Sequence, residues 1–228
     1  MTKIAICIPS GDMVHADFAM ALAALTYQCG PVTVNGEKHE PLEIALLNVK
    51  ASLIVYGRSE LVHEAQKLGV DYLFFVDSDI VLHPWTLRQL LSRKVDIVGG
   101  TYIQRKEPHR LLGNGMDGLP LGESVAGKEV GGADLYEVSG LPAGCLLIKM
   151  SVFDHIPRPY FATPAHVHED RAWYEGEDYF FCAAARAAGY QVWLDWPVSF
   201  ALSHLGQQAF KIPGVRLESA EVKSAIIH

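Results

Sequence analysis

Hydrophobic and polar positions along this chain fall into short strand-like runs alternating with stretches of helical period. Ile4 to Ile8 is apolar and β-branched and stops at Pro9-Ser10-Gly11-Asp12, which predicts a strand and a tight loop. Ala16 to Cys29 carries Phe18, Leu22 and Leu25 at helical spacing before Gly30-Pro31. Leu42 to Leu47 and Leu53 to Tyr56 read as strands, with a polar turn at Asn35-Gly36-Glu37. Ser59 is placed to cap a helix running to Leu68 and closed by Gly69, and Arg58 then stands at the strand-to-helix junction. The run Tyr72 to Val76 predicts a buried strand, Pro84 opens a helix with Leu87, Leu90 and Leu91 that lasts to about Arg93, and Asp96 to Gly100 is another short strand. Such β-α-β alternation predicts an α/β fold with a doubly wound, mostly parallel sheet.

The second half has a different texture. Gln104 to Gly140 is glycine-rich and polar and predicts short strands with a loop. Leu141-Pro142-Ala143-Gly144 leads into a buried strand to Lys149, and Ser151 to His155 reads as a short helix. Pro157 to Glu175, rich in Pro, His and aromatic residues, is a candidate lid or acceptor-binding loop. Gly176-Glu177-Asp178 opens a helix from Tyr179 to Ala188, Gln191 to Leu194 is the last strand, and the tail after Phe210 is weakly patterned. One domain over 1–228 is expected, dividing by texture into 1–100, 101–210 and a tail at 211–228.

The strand at 72–76 ends in Asp77-Ser78-Asp79. A strand projects alternate side chains to the same face, so both carboxylates are expected to point the same way, with Cβ atoms about 6–7 Å apart, a geometry suited to a divalent cation and a polyphosphate. The plain alternative is that the aspartates start a turn.

Charge narrows the partners. A net charge of −7 over 228 residues argues against a nucleic-acid surface, whereas a small anion is still accessible through a metal or a few local Arg residues. Cys7, Cys29, Cys145 and Cys182 form no C-x-x-C pair and sit among apolar neighbours, which predicts buried free thiols. No apolar run reaches the ~18 residues of a membrane span, and the first residues run directly into a strand, so a soluble cytoplasmic protein is expected.

Taken in order, Cys7-Ile8-Pro9-Ser10, Arg58, Phe75-Val76-Asp77-Ser78-Asp79, Asp96 to Tyr102, Gly144, Gly176-Glu177-Asp178 and His204-Leu205-Gly206 resemble a GT-A nucleotide-sugar glycosyltransferase of the family 2-like, small bacterial and phage type. The resemblance covers roughly residues 3–206 and rests on order and spacing. It implies a nucleoside-diphosphate sugar donor, a UDP-sugar being commonest in the fold, and a hydroxyl acceptor such as a carbohydrate. It also implies Mn²⁺ or Mg²⁺ on the diphosphate, with Asp79 the direct ligand, Asp77 on the ribose or a metal-bound water, and His204 a late ligand. An oxygen-plus-imidazole set suits Mn²⁺ better than Mg²⁺.

The same resemblance assigns Asp178 as the base of an inverting reaction, with Glu177 beside it, while retaining members need no such base. Pro9, Ser10 and Arg58 would line the nucleobase and ribose, with Ser78 between the two aspartates. Gly99, Gly100 and Tyr102 would border the donor, and Gly144 would leave space beside its sugar. Trp173 and Tyr174 are candidates for stacking on an acceptor sugar or for packing. His166-Val167-His168-Glu169-Asp170 reads as a solvated loop or a second metal site, and no Arg or Lys is expected near Asp79. The competing functions are a sugar-phosphate nucleotidyltransferase, which would need a basic glycine-rich loop where Pro9-Ser10-Gly11-Asp12 stands, and a non-catalytic nucleotide-sugar-binding protein.

Overall fold

The computed structural model describes residues 1–34, 37–124, 133–206, 209–210 and 212. In chain order the elements begin β1 (Lys3–Ser10), α1 (Ala16–Gln28), β2 (Val32–Val34), β3 (Glu37–His39), β4 (Glu43–Lys50) and α2 (Ile54–Leu68). They continue with β5 (Tyr72–Val76), β6 (Ile80–Val81), α3 (Thr86–Ser92), β7 (Ile97–Gly99), β8 (Asn114–Gly115), β9 (Leu135–Gly140) and β10 (Cys145–Lys149). After a 3₁₀ turn at Met150–Asp154 come β11 (Ala165–His168), β12 (Arg171–Tyr174), α4 (Glu177–Ala187), β13 (Val192–Asp195), α5 (Trp196–Ala201), β14 (Ser203–Leu205) and β15 (Ala209–Phe210).

The central sheet has eight strands in the order β4-β1-β5-β10-β7-β13-β9-β8. β10 and β9 run against their neighbours, and the other strands share one direction. This is the mostly parallel α/β sheet that the alternation predicts, with β10 inserted antiparallel at its centre.

Both faces of the sheet are covered, so its strands are apolar on consecutive residues. Ala5, Cys7, Leu73 and Phe75 point to the face carrying Leu61, Val62 and Ala65 of α2 and Phe181, Cys182 and Ala185 of α4. Ile4, Ile6, Ile8, Phe74 and Val76 point to the other face, against Phe18 and Leu25 of α1, Leu87 and Leu90 of α3 and Val198 of α5. All four cysteines are free and buried.

Three sequence expectations change. Helix α2 starts at Ile54, so Leu53–Tyr56 is not a strand, and Ser59 lies inside the helix, its hydroxyl donating to the Val55 carbonyl at 2.8 Å. Tertiary context decides this segment: the helix packs across β1 and β4, and its first turns bring Gly57 and Arg58 onto the same buried stripe as Leu61, Val62 and Ala65. The D-x-D segment is a turn and no continuation of β5: the Ile80 N–H donates to the Asp77 carbonyl at 3.0 Å, and β6 leaves the main sheet to pair with β14. Pro157 to Glu175 contains a β-hairpin, β11 with β12, where an irregular loop was expected.

Smaller differences sit at ends: α3 begins at Thr86, two residues after Pro84, and the segment at 196–201 is a helix. Asn35 and Gly36 of the expected turn, and nearly all of the tail after Phe210, lie outside the described residues.

Candidate functional site

The chain leaves β1 toward β4 on one side and crosses back through α2 to β5 on the other, so the carboxyl ends of β1 and β5 flank a topological switch point, where open α/β sheets bind ligands. A cleft of about 240 Å³ opens there, lined by Pro9, Ser10, Gly57, Asp77, Ser78 and Asp79 among others. A larger hollow of about 750 Å³ near Asp71 and Lys149 lies at the opposite end of β5. Ser10 is held by Asn48 of β4, whose side-chain amide donates to the Ser10 hydroxyl at 2.8 Å.

Arg58 is the hub of this edge. Its position, three, four and seven residues before Leu61, Val62 and Ala65, puts it on the buried stripe of α2, where its side chain is only 2% exposed. Nη2 donates to Asp77 Oδ1 at 2.9 Å, Nε to Glu177 Oε1 at 3.0 Å and Nη1 to the Ala143 carbonyl at 3.4 Å, while the guanidinium carbon lies 5.0 Å from the centre of the Phe75 ring. Burial by itself would lower the pKa of this cation, but Asp77, Glu177 and Asp178 together raise it. The sequence reading put Arg58 against nucleobase and ribose; its guanidinium instead ties the D-x-D turn to the start of α4.

Asp178 sits at that same helix start. Its Oδ1 accepts from the Tyr179 N–H at 2.9 Å, and its Oδ2 accepts a longer 3.4 Å contact from the Ala143 N–H. Burial, and then the neighbouring Glu177 charge, push its pKa up to about 6 against the pull of Arg58. A carboxylate at a helix N-terminus is thus less firmly ionised than the helix dipole alone would make it.

Gly144 lies between the two halves: a Cβ there would overlap the Tyr102 hydroxyl and come within 3.0 Å of Asp77 Oδ2. Tyr102 is buried and packs edge-on against His204, ring centres 4.9 Å apart. Gly100 faces the core, where a Cβ would meet Leu202 and Val198.

Asp79 faces His204 and Arg105. Burial opposes ionisation of Asp79, but His204 and then Arg105 outweigh it and hold the carboxyl below the usual range. Nδ1 of His204 contacts the Ile103 carbonyl at 2.8 Å, so Nδ1 carries a proton, and Nε2 faces Asp79 Oδ2 at 3.7 Å. That separation is long for a hydrogen bond.

Among the described residues no group of three or more His, Cys, Asp or Glu surrounds one point. Asp79 and His204 are the two side chains of metal-ligating type that face each other at this turn among the described residues, while Asp77 has Oδ1 committed to Arg58. Arg105 overturns the expectation that no basic residue lies near Asp79: its Nη1 is 3.0 Å from Asp79 Oδ2, because the loop after Ile103 folds back over the turn.

In the hairpin, His166 stacks on Trp173 at 4.2 Å and faces Glu175 Oε2 at 3.3 Å, and no metal-ligating group of three forms around His166 and His168 among the described residues. Trp173 is 55% and Tyr174 71% exposed, so neither is a core residue.

No protein-family model matches the sequence, and a search of curated proteins gives no match. Solved structures do resemble it. The crystal structure of A197 from STIV, 17% identical, aligns over 94% of this chain and 96% of that one with a TM-score of 0.58. That of S. aureus TarS 1–349, 13% identical, covers 87% of this chain and 59% of that one with a TM-score of 0.45. The likeness to A197 is one of fold. The architecture is a Rossmann-like, mostly parallel α/β sheet, and no described helix is long and apolar enough to cross a membrane.

Proposed function

We propose that the chain is a glycosyltransferase that moves a sugar from a nucleoside-diphosphate sugar, UDP-linked by the prior of the fold, to an acceptor hydroxyl. The observation that carries this reading is the Arg58 bridge, which puts the donor-side Asp77 and Glu177, the neighbour of Asp178, on one guanidinium at the switch-point edge of the sheet.

Charge supports a cation in the reaction. Among the described residues Asp77, Asp79, Glu177 and Asp178 face the cations of Arg58 and Arg105, with His204 beside Asp79, so carboxylates outnumber the arginines and a divalent ion would help a diphosphate to bind this edge. Asp79 and His204 Nε2 would hold Mn²⁺ or Mg²⁺. When bound, such an ion supplies Lewis-acid stabilisation of the negative charge growing on the leaving diphosphate.

The chain's own groups do the rest. Pro9, Ser10 and Ser78 line the cleft that would take the nucleoside, and Gly144 keeps the wall beside Asp77 low. Asp178 Oδ2, the less committed of its oxygens, takes the proton of the acceptor hydroxyl as that oxygen attacks the anomeric carbon. The bond from that carbon to the diphosphate oxygen breaks, and its electron pair leaves with the diphosphate. The exposed Trp173 and Tyr174, just before α4, are available to an acceptor sugar.

Asp178→Asn tests the base assignment. It should bind nucleoside diphosphate as the parent protein does and lose transfer by about 10²–10⁴-fold. Full transfer in this variant would remove Asp178 from the chemistry.

A further inference from the structure

The loop from Gln104 to Arg110 is basic in an acidic chain. It carries Arg105, Lys106 and Arg110 against the single acid Glu107, whereas the whole sequence has a net charge of −7. Residues 105–110 are exposed, so burial does not explain this composition. The neck of the loop is fixed. Thr101, Tyr102 and Ile103 are buried, the Gln104 N–H donates to the Arg110 carbonyl at 2.9 Å, and the Leu112 N–H donates to the Tyr102 carbonyl at 3.0 Å. An exposed cationic tip on an anchored neck holds positive charge beside the D-x-D turn.

Arg105 is the residue of that tip in contact with the turn. One nitrogen, Nη1, makes both of its bonds, to the Leu205 carbonyl at 3.0 Å and to Asp79 Oδ2 at 3.0 Å. Its Nε and Nη2 make no hydrogen bond to the described residues, and the side chain is 48% exposed. The Nε–Nη2 edge of a guanidinium is one that grips two oxygens of a phosphate side by side, and among the described residues nothing occupies it.

We infer that Arg105 is a diphosphate-binding residue, parked on Asp79 until a divalent cation takes over that carboxylate. The inference rests on the reading of this edge as a donor site. A divalent cation and a guanidinium repel each other across a shared oxygen, so Arg105 opposes the cation while the site is without anion. A diphosphate reverses the sign, because it accepts both positive groups at once. Cation and nucleoside diphosphate then bind with positive coupling, and Arg105 carries part of it.

Isothermal titration of the full chain, its Arg105→Met and its Arg105→Lys variants tests this, using Mn²⁺ alone and then UDP, GDP, CDP and ADP with Mn²⁺. Arg105→Met should bind Mn²⁺ alone several-fold more tightly than the parent. It should bind the nucleoside diphosphate that the parent prefers about 10- to 100-fold more weakly, the worth of a charge-assisted phosphate contact. Arg105→Lys, which keeps the charge and loses the fork, should fall between them. Because the side chain is exposed, the melting temperature without ligand should be unchanged to within a few degrees.

Parent-like affinity of Arg105→Met for the diphosphate, in a protein whose parent binds it with Mn²⁺, overturns the role of Arg105 and leaves the donor site standing. A parent that binds none of the four overturns both.

Discussion

Arg58 shows how much one side chain organises here. A guanidinium 2% exposed and shared by Asp77 and Glu177 joins residues 19 and 119 positions away in the chain. Removing one partner of such an arrangement leaves charge buried without compensation, so Arg58→Met should destabilise the fold by about 3–5 kcal/mol in denaturant titration. A loss below about 1 kcal/mol would mean that the carboxylates do not depend on it.

Asp178 makes the opposite prediction. Its pKa is raised to about 6 from an ordinary 3.8, so the folded chain holds the proton more tightly than the unfolded one and loses stability as pH rises between those values. Asp178→Asn should therefore melt a few degrees higher than the parent at pH 7.5 and no higher at pH 3.5, and transfer by the parent should rise with a midpoint near pH 6. Equal melting temperatures at both pH values would show that the carboxylate bears no such burden.

At the scale of elements, much of the frame was legible. The runs at Ile4–Ile8, Tyr72–Val76 and Cys145–Lys149 are apolar on both faces because the sheet is covered on both sides, and that signal survives without tertiary knowledge. The start of α4 after Gly176 was legible for a similar local reason, since acidic residues favour a first turn.

Helix α2 was misread because Ser59 and Arg58 look like surface punctuation when taken singly. Phased with Leu61, Val62 and Ala65, Arg58 falls on the buried stripe, and a charged residue in a core position was the available sign of a buried ion pair. The register is open to a direct check. Ser59→Ala should be neutral within about 0.5 kcal/mol, because a mid-helix hydroxyl bonded to the carbonyl four residues back adds little, whereas loss of a cap costs about 1 kcal/mol. The Asp79–Arg105 pair was not legible at all, since only the fold-back of the 104–110 loop brings those residues together.

Across the whole molecule, the sheet order does what no local motif does. It places the ends of β1 and β5, the start of α4 and strand β14 along one edge, so that side chains from Ser10 to His204 share it. That edge is dominated by carboxylates, and in it Asp79 faces His204 and Arg105. It should therefore take a nucleoside diphosphate well only together with a divalent cation.

Thermal melting of the full chain with UDP, GDP, CDP or ADP, each with and without Mn²⁺, measures this directly. At ligand concentrations near a hundred times the dissociation constant, one diphosphate with Mn²⁺ should stabilise the fold by about 2.7 kcal/mol, a rise of roughly 5–10 °C, and much less without the metal. Equal shifts with and without Mn²⁺, or none with any of the four, would contradict the account.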